Sequence, residues 1–536
     1  MNYPKVPSTY VFYDTETASR NGQIRQYASV RTDDSFNILE TKELFCKPYK
    51  DVLPEVKATM VHHISMKECF DKGLTEPEFA DKIDDDFTLN ENTCIIGYNS
   101  ISFDDERKRE LSFRSMRDPY QPYYYRGNSR ADLFHITKAF YAMSPEGINF
   151  PVMEDGTVSL KLEHLAKANG IVQENAHNAV DDVIATANFA KFLFEKNPQF
   201  FNFCMNSREK NFCEKYMFGD DGKPKPFLYI GGYTPRDRFH TAPMIMLFND
   251  PKNKNAYTCL DLQMITLEKI REVAEMDAKD IPNLIFSKNP DEKLHVQSVA
   301  INKHPILLPM GAIKKYPDKA DRLSIDPQEI NMKAMSIIND SSFIKFVSKI
   351  KESQELTTYP EKPLYQSIYE KFFSYADKEF MKRMSTNNYD QWVEISKQLK
   401  DNRAYPLTIR AIGNIDASLL KDKERKIFEE WITESYNDKE EKYGCSLPRF
   451  WYECKEVLDS KETTMEEKVL VQELLDEFNP MAGRFAPELW KNKENEIEEY
   501  KQKFININDD NLEEENNKKI DKEKKSSKKN DSNLSP

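Results

Sequence analysis

The sequence predicts an α/β protein: an N-terminal mixed sheet covered by helices, then a β-rich module, then a long helical region. Three observations carry this. Strand-like runs alternate with helical periodicity over about the first 200 residues, short turn-rich strands fill roughly 205–350, and charged amphipathic stretches fill roughly 355–500. A chain of 536 residues is too long for one core. We therefore divide it at 1–200, 201–352 and 353–500, with a charged tail over 505–536.

The first strand, VFYDTET, has an aromatic and β-branched start and ends in Asp14 and Glu16. Strand side chains alternate, so both carboxylates project to one side and repel each other. A strand running out into a solvated turn would tolerate this; a divalent cation bound through hard oxygen ligands would require it. IRQYASVRTD and ILETKELFCKP follow after short turns at Arg20–Gln23 and Asp33–Asn37, which implies hairpins and hence a mixed sheet. CIIGY is a further strand, ending at Gly97-Tyr98-Asn99. A helix then starts near Phe103 with Asp104 or Asp105 in its first turn, where the helix dipole alone favours an acid.

Val180, Val183, Ile184, Ala187 and Phe194 mark the buried stripe of another helix, with Asp182 inside it and His177 ahead of it. Five residues of continuous helix would set those two side chains about 140° apart. They converge only if His177 lies on the turn leading in. Farther on, KPFLYIGGYTPRDRFHTAPMIMLF, NAYTCLDL and VQSVAINKHPILLP supply the β-rich module, and ETTMEEKVLVQELLDEF typifies the helical region. The final INDDNLEEENNKKIDKEKKSSKKNDSNLSP is almost without apolar residues and is expected to be a disordered, solvated tail.

Composition excludes several classes. No apolar run approaches the roughly 18 residues of a membrane span, and MNYPKVPSTY lacks signal-peptide character, so a cytoplasmic protein is expected. The eight cysteines include no Cys-x-x-Cys pair, which argues against structural zinc and fits reduced thiols. With a net charge of −13, any nucleic-acid ligand must be drawn by a local basic groove and by metal ions. One such stretch, Arg107 to Arg130, interleaves Arg109, Arg114, Arg117, Arg126 and Arg130 with Tyr120, Tyr123, Tyr124 and Tyr125. Cations with stacking rings suit a single strand; an aromatic loop packed on its own domain is the alternative.

Taken in order, Asp-x-Glu, Phe-Asp and His-x-x-x-x-Asp resemble the DEDD exonuclease superfamily in its histidine-containing branch. The flanking ILETKELFCKPYKDVLPE, IIGYNSISFDDE, DPYQPYYY, NSRADL, YAMSPEGINFP, LEHLAKANGI, AINKHPIL, ADRL and IYEKFFSYAD resemble the bacterial exonuclease I family. The likeness covers residues 9 to about 380 and thins toward 480. It implies a ribonuclease H-like mixed-sheet exonuclease domain, an SH3-like domain and a helical domain. The implied activity is processive 3′ to 5′ degradation of single-stranded DNA to 5′-mononucleotides by two-metal hydrolysis, in DNA repair and recombination.

The resemblance also implies site residues. Two Mg²⁺ ions, with Mn²⁺ able to substitute, would be held by Asp14 as the bridge, by Glu16 and Asp182, and by Asp104 partly through water; His177 would take the proton from the attacking water. Asp104 is chosen over Asp105 because the family acid follows the aromatic of Phe-Asp, and Asp182 over Asp181 because it precedes Val183. Substrate contacts carried over are Glu16, Lys161 (where relatives carry arginine), Arg109, Tyr120, Tyr124, Lys138, Asn255 and Tyr369. Implied partners are single-stranded DNA and the acidic C-terminal tail of single-stranded DNA-binding protein, to which Lys225 would contribute, with no membrane and a monomeric chain. The chain departs from the family at Ala18-Ser19, where many relatives have Thr-Gly or Phe-Gly, and at Asp181, where relatives have a small residue. It departs again at Ile409–Asn414, where relatives have an arginine-rich Tyr-Arg-Ala-Arg-Asn run. Two alternatives stay open: a 3′ exoribonuclease of the same superfamily, and a non-catalytic strand-binding protein on a retired scaffold, against which the five filled positions argue.

Overall fold

A computed structural model describes residues 6–19, 22–172, 178–231, 234–289, 292–314, 317–358 and 362–502. The charged tail and His177 lie outside the described residues. Strands β1 (Thr9–Thr17), β2 (Ile24–Thr32) and β3 (Ile38–Phe45) pair antiparallel in succession, while β4 (Thr93–Gly97) and β5 (Ser129–Asp132) extend the sheet in parallel from the other side of β1. The order β3-β2-β1-β4-β5 makes β1 central, and the sheet is mixed, as its hairpins imply.

Helices cover both faces of this sheet. Tyr10 and Phe12 enter a core with Val30, Val183 and Ala187, whereas Val11 and Tyr13 enter another with Tyr27, Ile83 and Phe87. By period two, Asp14 and Glu16 continue the Tyr10–Phe12 face, which the Ala179–Lys196 helix covers. That continuity carries the two carboxylates under a helix.

A second, antiparallel sheet has the order β10-β6-β7-β8-β9, built from β6 (Phe227–Ile230), β7 (Thr241–Asn249), β8 (Ala256–Asp261), β9 (Val296–Ala300) and β10 (Ile306–Pro309). Beyond residue 374 the described chain is helical, with Ala404–Asp416 and Met465–Phe485 among its longer helices. Cores are shared across these parts. One apolar cluster runs from Tyr10 to Ile350, and another joins Leu53, Val56, Met66 and Phe113 to residues from Tyr365 to Ile497. All eight cysteines are buried and unpaired, and no helix among the described residues is long and apolar enough to cross a membrane.

Polar stitches fix the later parts onto the first sheet. His304 accepts from the Asp132 amide at Nδ1 and donates from Nε2 to the Cys204 carbonyl, each at 2.9 Å. Arg130 donates to the Asn302 carbonyl at 2.8 Å. On the helical side, Asp51 takes two hydrogen bonds from Arg410, whose guanidinium lies 4.7 Å from the Tyr365 ring and 5.4 Å from Trp431. Asn414 Oδ1 accepts from the Lys50 amide at 3.0 Å, and a Cβ at Gly413 would stand 2.5 Å from the Phe428 ring. The divergent Ile409–Asn414 run is therefore an internal docking element rather than an exposed basic strip.

Asp51 and Arg410 are both buried. Removing one partner leaves the other charge uncompensated, at a cost of about 3 to 5 kcal/mol. Asp51→Ala should lower the melting temperature and expose the Ile409–Asn414 helix to limited proteolysis, whereas Arg410→Met in the same background should restore much of the loss. An unchanged melting curve for Asp51→Ala would show that the pair does not hold this junction.

Candidate active site

The site grows from the end of β1. The parallel β1–β4 ladder runs only from Thr9 to Phe12, so beyond Phe12 that edge of β1 has no strand partner. Asp104 takes the place of one: its Oδ1 accepts from the Thr15 amide at 3.1 Å and from the Thr15 hydroxyl at 2.6 Å. The chain reaches Asp104 through a tight turn. At Gly97 a Cβ would stand 2.4 Å from Ser100 Cβ, Asn99 adopts a positive φ of 65°, and the buried Asp132 carboxylate accepts the amides of Asn99 and Ile101. The Asp104–Arg114 helix starts there, so both acids of the Asp-Asp pair fall in its first turn.

Asp105 has a different environment. It accepts from Tyr13 Oη and from Arg130, and lies 3.5 Å from Arg109 Nη2. Its charge is used in a buried ion pair, which leaves Asp104 as the acid of the pair that faces the β1 carboxylates. The Ala179–Lys196 helix contributes the next group. Asn178 caps it by accepting from the Val180 and Asp181 amides, and Asp182 comes near one oxygen each of Asp14 and Glu16, with these ligand atoms all within 4.8 Å of one another.

Three carboxylates so close and partly buried cannot easily all be charged. Burial is the first cause of elevation for Asp14, Glu16 and Asp104. Asp14 is pushed well above the carboxylate range by burial and then by Asp104, Glu16 and Asp182. Glu16 is pushed up to about 8 by burial, then by Asp182 and Asp104. Asp104 rises to about 7 by burial, opposed by the Thr15 hydrogen bonds. An all-oxygen donor set of this charge fits a hard divalent cation, which would supply the missing positive charge.

The expected strand contacts divide into open and closed positions. The Lys161 side chain is 72% exposed, with only a 3.4 Å contact to Glu163, and Tyr124 is 59% exposed. Tyr120 is half-buried, edge-on to Phe372 at 5.4 Å. Tyr369 is 49% exposed, but its hydroxyl donates to Glu106 and accepts from Arg109. Asn255 sits in the β7–β8 turn, where its Oδ1 accepts from Lys210 at 2.6 Å, and Lys225 is half-buried beside β6. Two of the expected contacts are buried in this structure. Arg109 is buried because Asp105, Glu106 and the Tyr120 and Tyr123 rings surround it. Lys138 is buried with its ammonium 4.2 Å from the Phe134 ring, and burial pulls its pKa down to about 8.

Sequence reading passed over Thr15 and Phe372. Thr15 is the middle residue of Asp-x-Glu and points away from the pair, yet it orients Asp104. Phe372 is 63% exposed whereas its neighbour Phe373 is buried; the doubled phenylalanine of IYEKFFSYAD was the available signal.

Comparison with known proteins gives three family matches. Residues 11–190 match the family described as Exonuclease, 208–352 the Exonuclease I SH3-like domain, and 364–478 the Exonuclease I C-terminal domain. The chain is 34% identical over 392 residues to Exodeoxyribonuclease I of Escherichia coli (strain K12), covering 71% of this chain and 80% of that protein. It is 34% identical over 418 residues to the Haemophilus influenzae protein of the same name, covering 74% and 84%. Among solved structures it is similar to an Exonuclease I from Methylocaldum szegediense, with TM-score 0.79, 28% identity and coverage of 88% and 99%. The E. coli Exonuclease I in complex with a dA16 oligonucleotide gives TM-score 0.79 at 28% identity, covering 88% and 100%.

The elevated pKa of Glu16 has a thermodynamic consequence. Between its ordinary value of 4.5 and about 8 the folded state binds the proton that the unfolded state has released, so this group takes away stability as pH rises through that window. In chelator, Glu16→Gln should therefore melt above the unsubstituted protein by a margin that widens from pH 5 to 8, and saturating Mg²⁺ should close or reverse that margin. A margin independent of pH would mean that Glu16 ionises normally.

Proposed function

The chain belongs to the exonuclease I family, and on that membership we propose that it removes nucleotides from the 3′ end of single-stranded DNA, releasing 5′-mononucleotides processively during repair and recombination. The clustering of Asp14, Glu16 and Asp182 carries the hydrolytic part of this reading. When bound, two divalent cations, Mg²⁺ with Mn²⁺ able to substitute, supply an acidified water, charge neutralisation at the phosphoryl oxygens and support for the leaving 3′ oxygen. Asp14, Glu16, Asp182 and Asp104 would hold them. Thr15 fixes the Asp104 carboxylate by taking one of its oxygens. His177, one residue ahead of the Asn178 cap, takes the proton of the attacking water.

The remaining residues hold the strand. Glu16 orients the terminal nucleotide, and the exposed Lys161 meets a phosphate. Tyr120, Tyr124 and Phe372 offer rings for the bases, Tyr120 lying 5.7 Å from the guanidinium of Arg109 on the Asp104 helix, and stacking on rings accepts every base. Arg109, Lys138, Tyr369 and Asn255 are further strand contacts in this reading, with Tyr369 exposed and Arg109 and Lys138 reaching from buried positions. We divide the chain at 1–200, 201–352 and 353–500, limits that fall within the Pro198–Asn206 and Phe343–Leu356 helices, so that these two helices bridge the parts. One of the similar solved structures carries SSB/Exonuclease I in its description. On that basis we assign a single-stranded DNA-binding protein tail as partner, with Lys225 on its side of the chain, and a monomeric cytoplasmic enzyme.

The test is nucleotide release from matched 3′-labelled single-stranded DNA, duplex DNA and RNA, with Mg²⁺ or with chelator. Release should require Mg²⁺ and single-stranded DNA; a preference for RNA would replace the substrate assignment, and binding without release would replace the activity. Asp14→Asn should retain strand binding while losing about a thousandfold or more in rate, the equivalent of several kcal/mol of metal-borne stabilisation. Phe372→Ala should weaken binding by about 1 to 3 kcal/mol, the usual worth of one stacked base. Equal affinity of Phe372→Ala and the unsubstituted protein would remove that ring from the path.

A further inference from the structure

Just past Glu16, the β1–β2 ladder loses register. Glu16 faces Gln26 and Thr17 faces Ile24, so Arg25 is the extra residue of a bulge. Bulges re-aim side chains. This one turns Arg25 into a small cavity where the start of the nuclease sheet meets the helical part, lined also by Ser19, Tyr49, Arg114, Arg410 and Tyr443.

The charges around the cavity do not balance. Arg114 is paired with Glu76 at 2.7 Å, and Arg410 with Asp51. Arg25 is only 4% exposed, its single hydrogen bond runs from Nη1 to Gln23 Oε1 at 2.8 Å, and it has no ion pair among the described residues. Three guanidiniums thus face two committed carboxylates. Glu477, a further acid near Arg25, is taken by Lys50 at 2.9 Å. A guanidinium has five N–H donors and cannot shed its proton in a protein, so four donors and one positive charge are left over. Burying an unpaired charge is among the costliest arrangements a fold can hold. The Tyr49 hydroxyl is a second buried donor at the cavity: it lies within reach of the Glu76 carboxylate, which Arg114 already occupies, and makes no well-aligned hydrogen bond among the described residues.

The cavity volume is about 30 Å³, against roughly 10–15 Å³ for one water. A nucleotide, a phosphate ester or a peptide cannot enter. We propose that the cavity binds one monovalent inorganic anion, chloride, held by the Arg25 guanidinium and the Tyr49 hydroxyl, and that this ion locks the helical part against the turn that follows Glu16. It supplies the missing negative charge and accepts the orphan donors. The site is separate from the carboxylate cluster and does not depend on the hydrolytic reading.

Bromide is the probe, because its anomalous scattering distinguishes it from water. Crystals of the full chain grown without halide and soaked in sodium bromide should show an anomalous peak at hydrogen-bonding distance from Arg25. The same soak of Arg25→Met should lose that peak while keeping surface bromides. In solution, replacing sodium gluconate by sodium chloride at equal ionic strength should raise the melting temperature of the unsubstituted protein, and the rise should vanish in Arg25→Met. Tyr49→Phe, which keeps the ring, should retain the fold and show a reduced chloride-dependent rise if Arg25→Met fails to fold. Water alone beside Arg25 in the bromide soak, or an equal chloride response in all three proteins, would overturn the assignment.

Discussion

Mutual repulsion of carboxylates at the end of β1 is the constraint around which the first sheet is arranged. Asp14 and Glu16 are aligned by strand alternation, and Asp182 is brought beside them by a helix lying on the same face. Left to itself such a cluster would relax into solvent or protonate. It is kept in place because the surrounding contacts are strong and numerous. Thr15 secures Asp104, Asp105 is neutralised by Arg130 and Arg109, and Asp132 satisfies the amides of the turn between β4 and the Asp104 helix. Each is an acid, and only the last two have their charge or lone pairs fully used by the protein. The contrast between spent and unspent acids marks where a cation belongs.

Glu106 links the three parts of the chain at one point near this cluster. It accepts from Tyr369 of the helical part, pairs with Arg109 of its own helix, and lies 3.4 Å from Lys303 of the β-rich part. With the His304 and Arg410 junctions, this ties both later parts to elements that directly carry site residues. A shift of either part would therefore be felt at β5 or at the Asp104 helix. Position of the acids is a property of the whole chain.

Much of this was legible in the sequence because it rests on periodicity and short spacings. The mixed sheet followed from two short turns after β1, and the shared side of Asp14 and Glu16 from period two. Asp104 and Asp182 could be chosen over their neighbours by motif, and the geometry sets Asp105 apart in a buried ion pair. What was not legible depends on long-range burial. Arg109 reads as one cation of a basic stretch and Lys138 was a strand contact by resemblance alone, but the identity of a residue does not tell which side of its helix is buried. The same applies to Arg410, which reads as the remnant of a basic run and is a buried tie, and to Arg25, whose exceptional place comes from a one-residue slip in a ladder.

The shared cores have a consequence for the order in which the protein comes into being. The nuclease sheet occupies the beginning of the chain, and whereas the cluster behind Val11 and Tyr13 closes by Tyr123, the one behind Tyr10 and Phe12, on the face of the site carboxylates, takes in residues as late as Ile350. A nascent chain that has just delivered Asp182 still lacks roughly 170 residues of that cluster, about 8 to 34 s of synthesis at about 5–20 residues per second. Throughout that interval the carboxylates are present while the apolar cluster on their side of the sheet is incomplete. A chain stopped after Asp182 and short of Ile350 therefore holds every site acid but only part of the apolar face that sets them in place.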